Sequence, residues 1–144
     1  KKEFENRFFK FGIFSDQLLF LCKSPPWDTM RQIDIALDCF PHNSGTTLIE
    51  HLYMGNPFIT YSNRIGVGKI GASILTALGR EEWIAYSEQE YIDKSVALAT
   101  DKEKLTTIRS SLRKEMETSP IMDHKDFVIK LEQTYQSMWK DKIN

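Results

Sequence analysis

The residues best suited to binding a ligand lie in one segment, residues 42–50, which reads HNSGTTLIE. A predicted strand ends just before this segment, a loop of small residues follows, and a predicted helix starts at Thr46 and Thr47. The free backbone N–H groups and the positive dipole at such a helix start suit a phosphate or diphosphate. Gly45 would let a ligand approach the backbone closely, and the two threonine hydroxyls would add donors aimed the same way.

Glu50 follows the threonines by one helical turn, and its carboxylate has two interpretations. It could accept hydrogen bonds from ribose hydroxyls, which would make the segment better suited to a nucleotide than to a bare phosphate. Alternatively, Thr47-x-x-Glu50 forms an ordinary capping box, in which the carboxylate binds only the backbone of its own helix. The residues alone leave both interpretations open. His42 lies in the same loop and could contact a phosphate.

A second segment, from Gly66 to Gly71, matches the GxGxxG pattern of dinucleotide-binding loops and precedes a predicted helix. Glu88 follows at roughly the 20-residue spacing of the acidic residue in that fingerprint. The fingerprint turn should directly follow its strand, however, whereas residues 62–65 intervene here. We therefore interpret this segment as a flexible loop that leads into a helix. A dinucleotide-binding oxidoreductase remains the alternative.

The sequence contains no pattern typical of a catalytic nucleophile or a metal site. No serine lies in a GxSxG motif, and His42, His51 and His124 lack the spacing of metal ligands. Cys22 and Cys39 lie in apolar runs, and we interpret them as buried, reduced thiols rather than as a disulfide or a metal pair. We therefore assign no catalytic residue, no metal ligand and no cofactor to this chain.

The composition predicts a soluble globular chain. Of its 144 residues, 41% are hydrophobic and 27% are charged. The 19 basic and 20 acidic residues give a net charge of −1, which excludes nucleic-acid binding through bulk charge. No apolar run approaches the roughly 20 residues of a membrane span, and we expect a cytoplasmic protein. Since the chain starts with Lys1 rather than methionine, we interpret it as a fragment of a longer protein.

Predicted strands alternate with helices up to residue 86. Apolar runs predict strands over residues 17–23, 33–39, 58–61 and 83–86. Helices are predicted at the start of the chain, after Pro26, and over residues 46–54 and 69–78. This alternation predicts an α/β fold with a Rossmann-like parallel sheet of about four strands and crossover helices. Ligands of such sheets bind beyond the carboxyl ends of the strands, which is where residues 42–50 fall.

Residues 87–144 are predicted to form a helical tail. One helix opens with a capping box of Ser87 and Glu90, a second covers residues 102–118, and Asp123 caps the last. The last helix carries one apolar stripe, formed by Phe127, Leu131, Tyr135, Met138 and Trp139. Because burying each large apolar side chain is worth about 1.5–3 kcal/mol, we expect this helix to pack back on the domain.

The stretch DIALDCFPHNSGTTLIEHLYMGNPFIT, followed by GASILTALG, resembles the C-terminal catalytic half of the O-GlcNAc transferase/SPINDLY family. The resemblance continues through EEWIAYSEQEYIDKSVALATD and LEQTYQSMW. It implies a GT-B architecture of two Rossmann-like halves, with residues 1–144 as one domain within the C-terminal, nucleotide-sugar-binding half. The implied function is protein O-glycosylation, in which a sugar moves from a uridine diphosphate (UDP) donor to serine or threonine. An acceptor protein and, as in bacterial members, TPR repeats are the implied partners.

The resemblance also implies which residues bind the UDP-sugar donor: Ser24, Asn43, Ser44, Gly45, Thr46, Thr47 and Glu50. Thr46 and Thr47 match the paired threonines that hold the diphosphate, and Glu50 matches an aspartate that binds the ribose. Ser24 matches the turn whose backbone contacts the uracil. The family's activating lysine and its N-terminal catalytic half match nothing in this chain, so we expect the chain alone to be inactive. A non-catalytic protein-interaction module, built on the helical tail, is a further alternative.

Overall fold

The computed structural model describes residues 1–22, 24–63 and 66–143. The chain divides into two compact units, Lys1–Gln32 and Ile33–Asn144. The first unit contains two short helices, α1 (Lys2–Phe9) and α2 (Trp27–Met30). Both helices were expected from the sequence, at the start of the chain and after Pro26.

The first predicted strand, over residues 17–23, is wrong. A single 3-10 turn occupies Ser15–Gln17, and residues 18–22 belong to no strand. The side chains of Leu19, Phe20 and Leu21 are exposed rather than buried. A continuous apolar run has no period that identifies a strand, and a strand forms only where another lies beside it. Lys23, which ends the predicted strand, lies outside the described residues.

The second unit is built around a parallel sheet. Its strands are β1 (Ala36–Leu37), β2 (Phe58–Tyr61) and β3 (Ile84–Ala85). They lie in the order β1-β2-β3, with Ala36 paired to Phe58 and Thr60 paired to Ile84. The prediction of an α/β fold with parallel strands is confirmed. The predicted number of about four strands is one too many, since the described residues contain three strands and the first apolar run forms none.

Helices follow each strand, as the sequence pattern predicts. They are α3 (Thr46–Tyr53), α4 (Ile70–Leu78), α5 (Glu88–Thr100), α6 (Lys102–Glu117) and α7 (His124–Ile143). Helices α3 and α4 are the crossovers between neighbouring parallel strands. Gly79 ends α4 with a left-handed backbone (φ +76°), a conformation that glycine adopts readily. Ser87 caps α5 by accepting the N–H of Glu90 at 3.1 Å.

The core lies between the sheet and the helices α3–α6. Its fully or nearly fully buried apolar side chains come from all of these elements: Leu48, Leu52, Phe58, Ile59, Leu75, Ile84, Leu98, Ile108, Leu112 and Met116. Helix α5 contacts β2 and β3, and α6 contacts α3. The first two helices of the predicted tail therefore belong to the core that positions the carboxyl edge of the sheet.

Helix α7 does not bury its apolar stripe. All five stripe side chains are exposed, from 37% for Leu131 to 67% for Trp139, and α7 contributes no buried residue. The expectation that this helix packs back on the domain is wrong. The periodicity predicts the helix and its stripe correctly, but it does not say which surface covers the stripe, and α3–α6 already enclose the core.

Both cysteines are free and exposed. The predicted burial is wrong, because Cys22 lies in the run that forms no strand and Cys39 lies beyond the end of β1. Among the described residues, no helix is long and apolar enough to cross a membrane. Nor do the described histidine, cysteine and acidic side chains form a group of three or more that could hold a metal ion.

Candidate functional site

The loop over residues 40–45 joins the carboxyl end of β1 to the start of α3. Gly45 is the N-cap of α3 and provides no side-chain cap. Thr46 and Thr47 form the first turn and are exposed. Their backbone N–H groups have no hydrogen-bond partner within the part of the chain that the structure describes. The start of α3 thus presents free donors, at the carboxyl edge of the sheet where ligands of parallel sheets bind.

The position of the N-cap settles one of the two interpretations of Glu50. Because α3 begins at Thr46, Thr47 lies inside the helix and cannot act as the cap of a Thr47-x-x-Glu50 box. Glu50 is half-buried, and its charge acts on the neighbouring His51 rather than at the helix cap. It lies four residues after Thr46, and residues at that spacing share one helical face. The capping alternative is therefore wrong, and ribose binding stays a prediction.

Asp38, which the sequence patterns did not identify, holds the loop over residues 40–45 in place from its buried side. The residue is only 2% exposed. The N–H of Ser44 donates to Asp38 Oδ1 at 2.8 Å, and the hydroxyl of Thr60 donates to Oδ2 at 2.7 Å. Burial raises the pKa of this carboxyl more than these hydrogen bonds lower it. An acidic residue at the end of the apolar run IDIALD was the available signal, because a buried carboxylate must find donors.

Tyr91 of α5 supports the same strand end. Its hydroxyl donates to the backbone carbonyl of Asp38 at 2.9 Å. Burial, together with the nearby charge of Asp38, raises the pKa of Tyr91 to about 12, so the hydroxyl stays a donor throughout the physiological range. The ring of Phe40 lies edge-on to Tyr91 and to Tyr61, with centroid separations of 5.6 and 5.2 Å. The strand end is therefore held by both polar and aromatic contacts.

Asn43 joins this loop to the loop that follows β2. It is 2% exposed, and its amide Nδ2 donates to the carbonyl of Cys39 at 3.1 Å. The backbone N–H of Asn43 donates to the carbonyl of Val67 at 3.0 Å, and its Oδ1 accepts the N–H of Gly71 at 3.4 Å. The side chain of Asn43 thus faces the protein interior, where it can shape the site rather than reach into it.

The last glycine of the GxGxxG segment, Gly71, serves packing in this structure. Gly71 lies in the first turn of α4, and a Cβ there would lie 2.3 Å from Thr60 Oγ1 and 2.7 Å from Asp38 Oδ2. Glycine is required because no side chain fits this close approach. Since its N–H is already bound to Asn43, it is not available to a phosphate. Arg64 and Ile65, which precede the segment, lie outside the described residues.

Replacing Gly71 with alanine is expected to lower the free energy of unfolding by about 1–3 kcal/mol, the usual cost of overpacking. The added methyl group would overlap Thr60 and Asp38. Ser73→Ala is the matched control, because Ser73 is an exposed residue of the same helix and its replacement places no atom in the core. Urea denaturation of both variants measures the difference. Equal midpoints for the two variants would contradict the packing role.

The structure places the predicted site residues in two parts of the chain. Asn43, Ser44, Gly45, Thr46, Thr47 and Glu50 are brought together on one loop and helix. Ser24 belongs to the first unit, so its contact with a uracil stays a prediction. His42 is exposed in the loop.

A cleft at the opposite, amino end of β1 is a weaker candidate. It is lined by Asp34, Ile35, Lys102, Leu105 and Arg109, among others. Arg109 already donates to the carbonyl of Ile33 and pairs with Asp34 at 3.4 Å. Because ligands of parallel sheets bind at the carboxyl edge, we assign the site to the start of α3 instead.

Comparisons with known proteins agree in pointing to one group. Residues 3–131 match the family model described as Glycosyl transferase family 41. The probable UDP-N-acetylglucosamine–peptide N-acetylglucosaminyltransferase SPINDLY of Petunia hybrida is 40% identical over 108 residues, which cover 75% of this chain and 12% of that protein. Its counterpart from Arabidopsis thaliana is 41% identical over the same coverage.

More distant proteins show the same likeness. The UDP-N-acetylglucosamine–peptide N-acetylglucosaminyltransferase of Caenorhabditis elegans is 31% identical over 74% of this chain and 9% of its own length. A solved mutant of the Thermobaculum terrenum O-GlcNAc transferase superimposes with a TM-score of 0.85 at 28% identity, over 97% of this chain and 28% of its own. The chain therefore spans about a tenth of the length of the curated relatives it matches.

Proposed function

Because the chain belongs to glycosyl transferase family 41, we propose that it forms the nucleotide-sugar-binding part of a protein O-glycosyltransferase. The parent protein would have the GT-B architecture and transfer a sugar from a UDP donor to serine or threonine of an acceptor protein. The observation that carries this proposal is the exposed start of α3, where the N–H groups of Thr46 and Thr47 are free. Those donors lie where a diphosphate would bind at a parallel sheet.

The chemistry of sugar transfer explains why free donors are needed there. The acceptor hydroxyl oxygen would bond to the anomeric carbon and give its proton to a base in the remainder of the parent. At the same time the bond between that carbon and the diphosphate oxygen breaks, and the leaving UDP gains negative charge. Fixed N–H groups, the helix dipole and the hydroxyls of Thr46 and Thr47 would stabilise that charge as it develops. Glu50 would hold the ribose through its hydroxyls. The groups that activate the acceptor belong, in this proposal, to the part of the parent outside this chain.

The exposed stripe of α7 suggests the partner within the parent. Five large side chains left in water forfeit about 1.5–3 kcal/mol each relative to burial. We propose that this stripe contacts the remainder of the parent protein, the N-terminal catalytic half or TPR repeats.

The free thiols of Cys22 and Cys39 are consistent with a reducing, cytoplasmic environment for that parent.

The two alternatives differ from this proposal in a measurable way. A dinucleotide-binding role would use Gly66 and Gly71, but the contacts of Gly71 with Asn43, Thr60 and Asp38 speak against it. A protein-interaction module is favoured by the α7 stripe.

Parallel calorimetric titrations of the chain with UDP and with NAD⁺ distinguish the three candidate functions. We expect heat of binding with UDP alone; binding of NAD⁺ would favour the oxidoreductase, and binding of neither would favour the interaction module.

A further inference from the structure

A set of buried polar groups lies behind the start of α3. We call Asp38, Asn43, Thr60 and Gly71 the polar brace. Asp38 and Asn43 are each 2% exposed and Thr60 is fully buried. Their hydrogen bonds link the end of β1 to strand β2, to the loop over residues 40–45 and to the first turn of α4. Burying polar groups costs free energy unless each one is hydrogen-bonded. Because these groups find their partners only in one arrangement, they specify one loop conformation.

The part of the loop that the polar brace controls has few other contacts. Between buried Asn43 and buried Leu48, residues 44–47 are half-buried or exposed. Gly45 has open space where a side chain would be. At Ser44 the short hydrogen bond to Asp38 is joined only by a longer contact of the Ser44 hydroxyl with Cys39 Sγ at 3.5 Å, and Gly45 accepts the N–H of Leu48 at 3.0 Å. The hydrogen bond to Asp38 is therefore the shortest contact that links this stretch to the buried end of β1.

We propose that Asp38 and Asn43 are positioning residues for the donor site. Through the polar brace they aim the N–H groups and hydroxyls of Thr46 and Thr47 at the diphosphate. This inference rests on the proposed function, because it takes the start of α3 as the site of the diphosphate. Donors that already point at the ligand need no reorganisation when it binds, and a loop released from the brace would have to be ordered during binding.

The hydrogen bonds distinguish positioning from direct contact. Both oxygens of Asp38 are occupied inside the protein, by Ser44 and Thr60. A carboxylate that touched a diphosphate would repel it, whereas one that holds a backbone N–H acts through the loop. In Asp38→Asn, the amide oxygen can still accept from Ser44, and the Thr60 hydroxyl can turn to accept from the amide nitrogen. The conservative variant should therefore preserve the brace, and alanine should break it.

The test compares Asp38→Ala and Asn43→Ala with the rescue variant Asp38→Asn. Asp34→Ala is the matched control, since this aspartate lies before β1 with a side chain that is 77% exposed. Three quantities are measured on the whole chain: UDP affinity by calorimetry, melting temperature, and hydrogen–deuterium exchange of amides 44–47 without nucleotide. We expect both alanine variants to weaken UDP binding about tenfold or more and to speed exchange at residues 44–47. Asp38→Asn and Asp34→Ala should remain within about threefold of the unmodified chain in UDP affinity.

Two results would overturn the inference. One is unchanged UDP affinity and unchanged exchange in folded alanine variants. The other is a loss of affinity in Asp38→Asn equal to that in Asp38→Ala without faster exchange, which would indicate direct contact with the ligand. If Asp38→Ala does not fold, Thr60→Val breaks the brace with little change in volume and takes its place. If the unmodified chain binds no UDP, the proposed function fails, while the exchange rates still test whether the brace orders the loop.

Discussion

Replacing Glu50 with glutamine is expected to weaken UDP binding by about 10- to 100-fold and to leave the melting temperature unchanged. The change keeps the shape of the side chain but removes a charged acceptor, and a hydrogen bond to a charged group contributes roughly 1.5–3 kcal/mol. The fold should suffer little, because Glu50 caps no helix and its neighbour His51, whose pKa is lowered by burial despite the charge of Glu50, is largely uncharged at pH 7. Calorimetry and thermal denaturation on the same samples measure both effects.

Glu88→Gln is the matched control for this change. Glu88 is an exposed glutamate in the first turn of α5, and it is the acidic residue that a dinucleotide site would require. We expect its replacement to leave UDP affinity unchanged. A loss of stability in Glu50→Gln with unaltered UDP affinity would show that Glu50 has a structural role and does not bind ribose.

Replacing Thr46 or Thr47 with alanine is expected to weaken binding of UDP about tenfold or more and to leave binding of uridine unchanged. The hydroxyls would act on the phosphates, which uridine lacks, and each would donate to a charged oxygen. Alanine has a higher helix propensity than threonine, so α3 should persist. Competition of each ligand against a fluorescent UDP analogue measures both affinities.

Thr76→Ala provides the control for these threonine variants. Thr76 is an exposed threonine on α4, away from the first turn of α3. Its replacement should change neither affinity. Equal losses for UDP and uridine in the Thr46 and Thr47 variants would contradict the phosphate assignment.

Local patterns in the sequence predicted the elements whose signals are local. The strand over residues 58–61 is reproduced without error, since a buried apolar run followed a clear Gly-Asn-Pro break. The starts of α3, α5 and α7 follow from their loop and cap residues. The start of α3 is thus a feature that local sequence signals identify.

The contacts that shape the site could not be predicted in the same way. Asp38 and Thr60 are 22 residues apart, and Asn43 and Gly71 are 28 residues apart, so no local pattern relates them. The glycine pattern left a dinucleotide-binding loop open as an alternative, but Gly71 is needed where α4 approaches Thr60. The stripe of α7 shows the same limit, because amphipathicity predicts a buried face without naming the surface that buries it.

The most direct test of the central claim is a two-dimensional NMR titration of the isotope-labelled chain with UDP, followed at the backbone amides. The account predicts that the largest chemical-shift changes fall on residues 44–50, at the loop and the first turn of α3. Amides of residues 66–71 should shift less, through their contact with Asn43. Largest changes at residues 66–71, or in the cleft near Arg109, with residues 44–50 unmoved, would contradict it.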